Sequence, residues 1–307
     1  MTSPTVVVFG SLNMDLVVRV ERAPHAGETV AAESFLMNPG GKGANQAVAC
    51  ARQAARVVMA GRVGDDDFGV ALKSALQRQG VDASSVQVGS GSSGIAMITV
   101  DDAAQNRIAV VGGANAEVSE ADADGLRTPL REAGLLLLQL EIPLPAVIRA
   151  AQVARSLGCT VLLNPAPARM LPPELLALVD ILVVNETEAQ VLTGLNNVDA
   201  SNAAEAAALL TRRGPRDVIV TLGEHGVVWH GPLGTRSVPA VPVRAVDTTA
   251  AGDTFIGALA ALRVEGRSMD EALAHAVKAA TLCVTRHGAQ ASIPSRAEVE
   301  AFEAGVC

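Results

Sequence analysis

Residues 246–255, Val-Asp-Thr-Thr-Ala-Ala-Gly-Asp-Thr-Phe, place small side chains and an acid where a helix begins. A helix N-terminus exposes unpaired backbone N–H groups and the positive end of the helix dipole, so Ala250, Ala251 and Gly252 leave room for an anion. Asp253 would stand beside that anion and hold an attacking hydroxyl in line with it. The stretch favours phosphoryl transfer, although Asp and Thr also occur at helix starts for capping alone.

The sequence around this stretch predicts an α/β fold. The apolar run 255–262 is typical of a buried helix, which is a rigid mount for catalytic groups. From about residue 135 onward, short apolar strand candidates alternate with helix candidates, as in a doubly wound, mostly parallel sheet flanked by helices. We predict strands at 6–9, 135–140, 160–163, 181–184 and 218–221, helices at 145–157, 187–192, 203–212 and 272–285, and capping boxes at Ser268 with Glu271 and Ser295 with Glu298.

Two segments break the alternation. Residues 16–38 lack a helix pattern, and residues 94–113 hold two strand candidates around the polar turn 101–106, which indicates a β-hairpin. Strand pairs without helices do not join a doubly wound layer easily, so we expect a separate small β-sheet. The prediction is one domain over 1–307, with a lid formed by about 15–40 and 94–113.

Composition excludes some classes of partner. The 307 residues carry a net charge of −8, and 49% are hydrophobic but only 2% aromatic. An acidic chain without a basic face argues against nucleic acid and membrane surfaces as partners. The start resembles no secretory signal, and no apolar run approaches membrane-spanning length. The scattered Cys50, Cys159, Cys283 and Cys307 form no C-x-x-C pair, so we expect a cytoplasmic protein.

A second glycine-rich helix start lies at residues 38–47, Asn-Pro-Gly-Gly-Lys-Gly-Ala-Asn-Gln-Ala, and we expect its helix to run to about Ala55. A Walker A loop needs Ser or Thr after its lysine, whereas Gly43 follows Lys42 here. Lys42 is one of only three lysines and stands between glycines, which favours a functional role. The alternative is a solvated helix start.

Polar side chains follow several predicted strands at their carboxyl ends, where open parallel sheets bind ligands. Asn13 and Asp15 follow the first strand, and Glu141 follows the strand at 135–140. Amide and carboxylate groups suit sugar hydroxyls, which both donate and accept hydrogen bonds. Asn and Asp are also common in simple turns, so that reading stays open.

Two further segments suit a nucleotide. Glu186 and Glu188 follow Asn185 in a first helical turn, where acids either complement the dipole or hold magnesium through water. The segment 221–226, Thr-Leu-Gly-Glu-His-Gly, lets a flat base or a phosphate approach the backbone, but a tight hairpin explains it equally well.

Other motifs in the sequence do not indicate a catalytic, dinucleotide or zinc site. Residues 89–94 match G-x-G-x-x-G, but the residues that follow predict a strand, whereas a dinucleotide site requires a helix there. The five histidines show no metal-ligand spacing, and there is no G-x-S-x-G elbow. Hydrolase and zinc-enzyme interpretations therefore lack support.

Residues 40–47 together with 247–255 resemble the two signatures of the ribokinase/PfkB family of carbohydrate kinases. Segments matching that family occur almost end to end, at 10–15, 138–141, 164–168, 185–188 and 286–290. The resemblance implies a ribokinase-like fold and ATP-dependent phosphorylation of D-ribose at its 5-hydroxyl. The alternatives are a related kinase acting on deoxyribose, fructose or adenosine, or a non-catalytic sugar-binding regulator.

The resemblance also implies roles for particular residues. Asp253 would be the catalytic base, with Ala250, Ala251 and Gly252 as the anion hole. The implied ribose ligands are Asn13, Asp15, Gly41, Lys42, Asn45, Glu141 and Asp253. ATP would be bound by Asn185, Glu188, Thr221, Gly223, Glu224, Gly226 and Gly252, with magnesium held by Glu188 through water. A potassium site would involve Asp247, Thr249, Cys283, Arg286, Gly288 and Ser292, and the lids would form a homodimer.

Three details qualify this assignment. The broad family pattern has Gly where this chain has Ala250, which adds one methyl at the anion hole. Val277 stands where ribokinases often place a polar residue near adenine. A carboxylate at a helix N-terminus is also expected to have a lowered pKa, which would make Asp253 a weak base.

Overall fold

The computed structural model describes residues 5–103 and 105–302 and contains two sheets. The larger sheet has the strand order β13-β12-β11-β10-β9-β8-β1-β4-β5. Its strands are β1 Thr5–Phe9, β4 Arg56–Val63, β5 Asp82–Val88, β8 Ala133–Leu138, β9 Thr160–Leu163, β10 Ile181–Asn185, β11 Asp217–Thr221, β12 Val227–Gly231 and β13 Gly234–Val238. Neighbours from β5 to β11 pair in parallel, and β12 and β13 are antiparallel, so the predicted fold class is confirmed.

Helices connect these strands and cover both faces. They are α1 Lys42–Arg52, α2 Asp67–Arg78, α3 Glu120–Gly125, α4 Arg127–Leu130, α5 Leu144–Ser156, α6 Pro173–Leu176, α7 Glu186–Thr193, α8 Ala203–Thr211, α9 Ala251–Val264, α10 Met269–Val284 and α11 Arg296–Ala301. Both predicted capping boxes are present, at Ser268 and Ser295. Among the described residues, none of these helices has the length and hydropathy that a membrane crossing requires.

The core lies in two layers because side chains alternate across a strand. Val6 and Val8 of β1 pack on one side with α1, α9 and α10, while Val7 and Phe9 pack on the other with α5, α7 and α8. Two predicted ends were wrong. The strand predicted at 135–140 ends at Leu138, and the helix from Lys42 ends at Arg52.

The smaller sheet has the order β3-β2-β6-β7, with β2 Asn13–Arg19, β3 Ser34–Gly40, β6 Gly94–Val100 and β7 Asn106–Val111. β6 and β7 form the expected antiparallel hairpin, and β2 pairs with β6 in parallel. Because a strand follows residues 89–94, that glycine motif opens no dinucleotide site. Ala104 of the hairpin turn and Cys307 lie outside the described residues.

Candidate active site

The two signature segments begin helices α1 and α9, which pack directly on each other. Gly257 makes this contact possible, because a Cβ atom built there would lie 2.3 Å from the Cβ of Ala49 and 2.9 Å from the carbonyl oxygen of Gln46. Both helices start at the carboxyl edge of the large sheet. The close approach brings the first turn of α9 against the side chains of α1.

Asp253 is the centre of this arrangement. Its Oδ1 accepts a hydrogen bond from Gln46 Nε2 at 2.9 Å, and its Oδ2 accepts one from Asn45 Nδ2 at 3.1 Å. The side chain is only 8% exposed, yet it lines a cavity of about 250 Å³. A buried carboxylate that is fixed at both oxygens and still reaches a cavity can orient a reacting hydroxyl.

The pKa of Asp253 is raised, so the expected lowering was wrong. Burial is the largest cause, and it outweighs the lowering effects of the Lys42 charge and of the hydrogen bonds from Gln46 and Asn45. Desolvation disfavours a charged carboxylate more strongly here than its positive surroundings favour it. Asp253 is consequently a better proton acceptor than an ordinary aspartate.

The N-terminus of α9 forms one wall of the same cavity. Ala250 has the left-handed angle φ 60°, which explains why glycine suits this position in the family. A Cβ atom at Gly252 would meet no other atom within 4 Å, so protein packing does not require glycine there. The first helical bond runs from Thr254 N to Ala250 O, which leaves the N–H groups of Gly252 and Asp253 free of backbone partners within the described chain.

Lys42 also lines the cavity and is partly buried. Burial lowers its pKa, but the negative charges of Asp253, Glu141 and Glu188 outweigh that effect, and the net pKa is raised. Across residues 5–103 and 105–302, no carboxylate lies within 4.0 Å of the ammonium group. The cavity therefore contains a cation that is free to bind an anion.

The predicted ribose ligands lie beside this cavity, at the root of the small sheet. Burial, together with the charges of Glu141 and Asp253, raises the pKa of Asp15 to about 7. The Asp15 carboxylate accepts no hydrogen bond from the described part of the chain. Gly40 leaves room for this carboxylate, because a Cβ atom there would lie 2.1 Å from Asp15 Oδ2.

Glu141 fixes the start of α1. Its Oε2 accepts hydrogen bonds from Ser11 Oγ at 2.5 Å and from the backbone N–H of Lys42 at 3.0 Å. Gly41 precedes Lys42 with φ 88°, and a Cβ atom there would lie 2.8 Å from Asn13 N. These contacts bring together four of the predicted ribose ligands, Asn13, Gly41, Lys42 and Glu141. In the sequence they lie apart, at the start of β2, at the start of α1 and after β8.

Asn185 and Glu188 form a capping box at the start of α7, which satisfies the dipole interpretation. Glu188 Oε2 accepts from Asn185 N at 3.0 Å and from Asn164 Nδ2 at 3.3 Å. Burial raises the pKa of Glu188, and the side chain lines the 250 Å³ cavity. One carboxylate at a phosphate-sized cavity fits magnesium, which keeps most of its waters.

A second cavity of about 690 Å³ adjoins the first and shares its wall at Thr221 and at the start of α9. Its lining is mainly apolar and includes Val243, Phe255 and Val277. Gly223 and Glu224 also line it. A Cβ atom at Gly226 would lie 2.1 Å from the carbonyl oxygen of Val238 at the end of β13, and Gly226 has φ 84°, so packing and backbone conformation both require glycine there.

The predicted potassium residues come together behind the start of α9. Asp247 accepts hydrogen bonds from the backbone N–H groups of Thr249 and Gly288, each at 2.9 Å, and Cys283 contacts Ser292 Oγ at 3.1 Å. The guanidinium of Arg286 pairs with Glu298, which leaves only its backbone oxygen for a cation. Carboxylate, hydroxyl and carbonyl oxygens fit a hard monovalent ion.

Metal sites of other kinds are not evident. The residues that the structure describes contain no group of three or more His, Cys, Asp or Glu side chains that could hold a metal. Transition-metal sites normally need such a cluster.

Sequence reasoning missed several buried amides of the site. Gln46 is 0% exposed and donates to Asp253, and its own Oε1 accepts from Gln139 Nε2 at 2.6 Å. Asn115 donates to Asn13 Oδ1 at 2.8 Å. Gln46 stands inside a signature segment, which was a usable signal, whereas Asn115 lies about a hundred residues from its partner and had none.

Comparison with known proteins agrees with this geometry. The pattern of the pfkB family carbohydrate kinases matches residues 3–296. A ribokinase of Haemophilus influenzae is 40% identical over 97% of this chain and 98% of its own length. A deoxyribokinase of Salmonella typhi is 39% identical over 94% of this chain and 95% of its own length.

A solved structure is also similar over nearly the whole chain. The ribokinase of Arabidopsis thaliana, in complex with ribose and ATP, superposes with a TM-score of 0.92 at 37% identity, and the match covers 99% of this chain and 100% of that one. The fold, the cavity around Asp253 and these matches lead to one assignment. This chain belongs to the pfkB family of carbohydrate kinases.

Proposed function

We propose that this protein transfers the γ-phosphoryl group of ATP to the 5-hydroxyl of D-ribose and forms ribose 5-phosphate. The observation that carries this proposal is the placement of Asp253. Its carboxylate lines a 250 Å³ cavity together with the unpaired Lys42 ammonium and the open first turn of α9. A hydroxyl held by Asp253 would face a phosphoryl group held by those two positive features.

Positioning dominates the proposed mechanism. Gln46 and Asn45 hold both carboxylate oxygens of Asp253, so that a remaining lone pair can accept the hydrogen of the 5-hydroxyl. The backbone N–H groups around Gly252, in the anion-hole segment 250–252, would bind the transferring phosphoryl oxygens. In a loose transition state the hydroxyl loses its proton late, so the carboxylate mainly orients the nucleophile.

The sugar would lie against the root of the small sheet. Its proposed ligands are one glycine and five side chains, which between them supply hydrogen-bond donors and acceptors. They are Asn13, Asp15, Gly41, Lys42, Asn45 and Glu141. The open carboxylate of Asp15 would accept from sugar hydroxyls. A nucleoside would instead want an apolar or aromatic surface for its base, and these residues do not provide one.

ATP would occupy the two joined cavities. Its phosphates would lie near Asn185, Thr221 and Gly252, and its base would lie in the apolar cavity beside Gly223, Glu224 and Gly226. Glu188 would hold magnesium through water, and the ion would neutralise phosphate charge when bound. Potassium would be held by oxygens of Asp247, Thr249, Arg286, Gly288 and Ser292, with Cys283 beside them.

We further propose one domain with the small sheet as a lid, in a cytoplasmic homodimer formed through the lids. The lid residues Phe35, Leu36, Met37, Met97, Ile108 and Val110 are each between 55% and 58% exposed, although they are apolar. The strand register places Leu36, Ile108 and Val110 on one face of the small sheet and Phe35, Met37 and Met97 on the other. Exposed apolar side chains grouped on a sheet face often mark a protein interface. The buried thiols of Cys50, Cys159 and Cys283 are unpaired, which supports a reducing compartment.

An ATP-consumption assay across ribose, deoxyribose, fructose and adenosine tests this function. We expect the highest kcat/KM with ribose and slow ATP hydrolysis without sugar, because a closed lid excludes water. The similar identities to a ribokinase and a deoxyribokinase make deoxyribose the main competitor. A preference for another acceptor would refute the ribose assignment, and sugar binding without turnover would indicate a regulator.

A further inference from the structure

The chain passes between the large and the small sheet at several places, and three of them meet at Asn115. Leu12 and Asn13 lead from β1 into β2, Gly94 begins β6, and Asn115 follows β7 in a short 3₁₀ turn. Asn115 is 2% exposed and Asn13 is 4% exposed. This junction is therefore buried and closely packed, which makes the direction of each hydrogen bond there important.

Backbone groups fix the orientation of the Asn115 amide. Its Oδ1 accepts a hydrogen bond from the N–H of Leu12 at 2.9 Å, and its Nδ2 donates to the carbonyl oxygen of Leu12 at 3.0 Å. A flipped amide would place oxygen against oxygen and nitrogen against N–H. Because a backbone donor and acceptor cannot exchange roles, only one orientation of Asn115 satisfies both.

This orientation determines that of Asn13. The second hydrogen on Asn115 Nδ2 donates to Asn13 Oδ1 at 2.8 Å, so Asn13 must turn its oxygen toward Asn115. Its Nδ2 then faces away and has no hydrogen-bond partner within residues 5–103 and 105–302. Gly94 leaves no spare room here, because a Cβ atom there would lie 2.1 Å from Asn115 Nδ2 and 2.3 Å from Asn13 Oδ1.

We propose that Asn115 is a positioning residue for sugar specificity: it holds Asn13 so that two N–H donors, rather than an oxygen, face the substrate. Asn13 would then recognise a hydroxyl oxygen as acceptor, while Asp15 accepts from a hydroxyl hydrogen. The inference rests on the proposed function, because it takes Asn13 as a sugar ligand. Asn115 itself would not contact the sugar, but it would determine that Asn13 presents hydrogen-bond donors to the sugar.

The variant N13D tests the polarity directly and leaves every bond of Asn115 to Leu12 in place. Its carboxylate accepts from Asn115 as the amide does, but it offers oxygen instead of N–H to the sugar. We expect the KM for ribose to rise roughly 10- to 100-fold, the usual effect of an unpaired buried polar group, with the KM for ATP within about twofold. An unchanged ribose KM would contradict the proposed orientation.

The variant N115D tests the positioning role. It keeps an acceptor for Leu12 N but removes the Nδ2 donor that serves both the Leu12 carbonyl oxygen and Asn13 Oδ1, so Asn13 should turn over and present its oxygen to the sugar. We expect a similar rise in ribose KM, again with little change for ATP. In an N13A background, N115D should raise the ribose KM by no more than about twofold further, because its effect passes through Asn13.

The matched control is Q53E, which also converts a buried amide to an acid. Gln53 is 1% exposed and donates to the carbonyl oxygen of Pro294 at 2.9 Å, outside the site. Q53E should lower the melting temperature without changing the ribose KM. The same pattern in N115D would overturn the inference, and if N115D does not fold, N13D decides it. A wild-type protein without sugar kinase activity would overturn the proposed function itself, which is a separate result.

Discussion

The two halves of the site are built from different interactions. Around Asp253 the walls are polar, and buried amides such as Gln46 and Asn45 fix each oxygen by a directed hydrogen bond. In the larger cavity the walls are mainly apolar, with Val243 and Val277 among the lining residues. Directed bonds position a reacting group within narrow limits, whereas apolar contact tolerates small displacements. Changes in the polar half should therefore reduce turnover, and changes in the apolar half should weaken binding.

The largest effect is expected from D253N in the polar half. The amide cannot accept the hydroxyl proton, so kcat should fall by roughly two to four orders of magnitude, while ribose and ATP still bind. Steady-state kinetics and calorimetric titration measure both quantities. The control is D217N, since Asp217 is also a buried acid but accepts from Trp229 Nε1 at 2.9 Å, away from the site. Turnover of D253N within tenfold of wild type would refute the role of Asp253.

The next largest effect is expected when Asp253 loses the hydrogen bond that Gln46 donates to it. Q46M keeps the volume but removes the hydrogen bond to Asp253 Oδ1, and a bond to a charged group contributes about 1.5 to 3 kcal/mol. We expect kcat to fall about 10- to 100-fold. Because the Gln46 bond lowers the pKa of Asp253, its loss should also move the acid limb of the kcat profile to higher pH. A profile that stays in place would show that Gln46 has no such influence.

A pH dependence follows from Asp15. Its pKa is raised to about 7, so the group is mostly neutral below that pH and mostly charged above it. If the charged form binds the sugar, kcat/KM for ribose should rise about tenfold from pH 6 to pH 8 and then level off. D15N should lower kcat/KM and remove this inflection. An inflection that persists in D15N would assign it to another group, such as Asp253.

A smaller effect is expected in the apolar half. V277A removes two methyl groups from the wall of the larger cavity, and each buried carbon is worth about 0.8 kcal/mol. The two carbons together set an upper bound of about 1.6 kcal/mol, or about 15-fold. Because ATP would contact only the cavity side of Val277, the KM for ATP should rise about 3- to 10-fold, while kcat and the KM for ribose stay within about twofold. An equal loss in ribose KM would show that the two halves do not act separately.

The smallest effect is expected at the boundary between the halves. Ala250 has φ 60°, which costs an alanine more than a glycine, so A250G should raise the free energy of unfolding by about 0.5 to 1 kcal/mol. The control is A54G, because Ala54 has φ 66° far from the site. Both variants should gain similar stability in denaturant titrations, with kinetic constants within about twofold of wild type. A loss of stability in both would show that the left-handed alanines carry no strain.

Much of the large sheet could be predicted because its central strands are buried on both faces. The run Thr160–Leu163 is apolar and bounded by turn residues, and the strand has those ends. Ends that depend on tertiary contacts could not be predicted in this way. Leu138 ends its strand although the buried Gln139 and Leu140 follow it directly, because the neighbouring strands β1 and β9 pair with β8 only as far as Leu138.

The candidate site shows the same limit. The signature segments located Asp253, Lys42 and Asn45, since small residues at helix starts are visible in sequence. The raised pKa of Asp253 was not predictable, because it depends on burial against elements distant in sequence, such as α1, whose Asn45 lies 208 residues from Asp253. The orientation of Asn13 likewise depends on Asn115. Roles in binding sugar, nucleotide and metal ions stay predictions.

The contact at Gly257 has a consequence for engineering. Because a side chain there would strike Ala49 and the backbone of Gln46, the two signature helices behave as one interlocked part. A chimaera that takes α1 from one relative and α9 from another would have to match at this point, or the carboxylate would shift relative to its amide donors. Transplanting the chemistry to a new scaffold therefore requires moving both helices together, with their crossing intact.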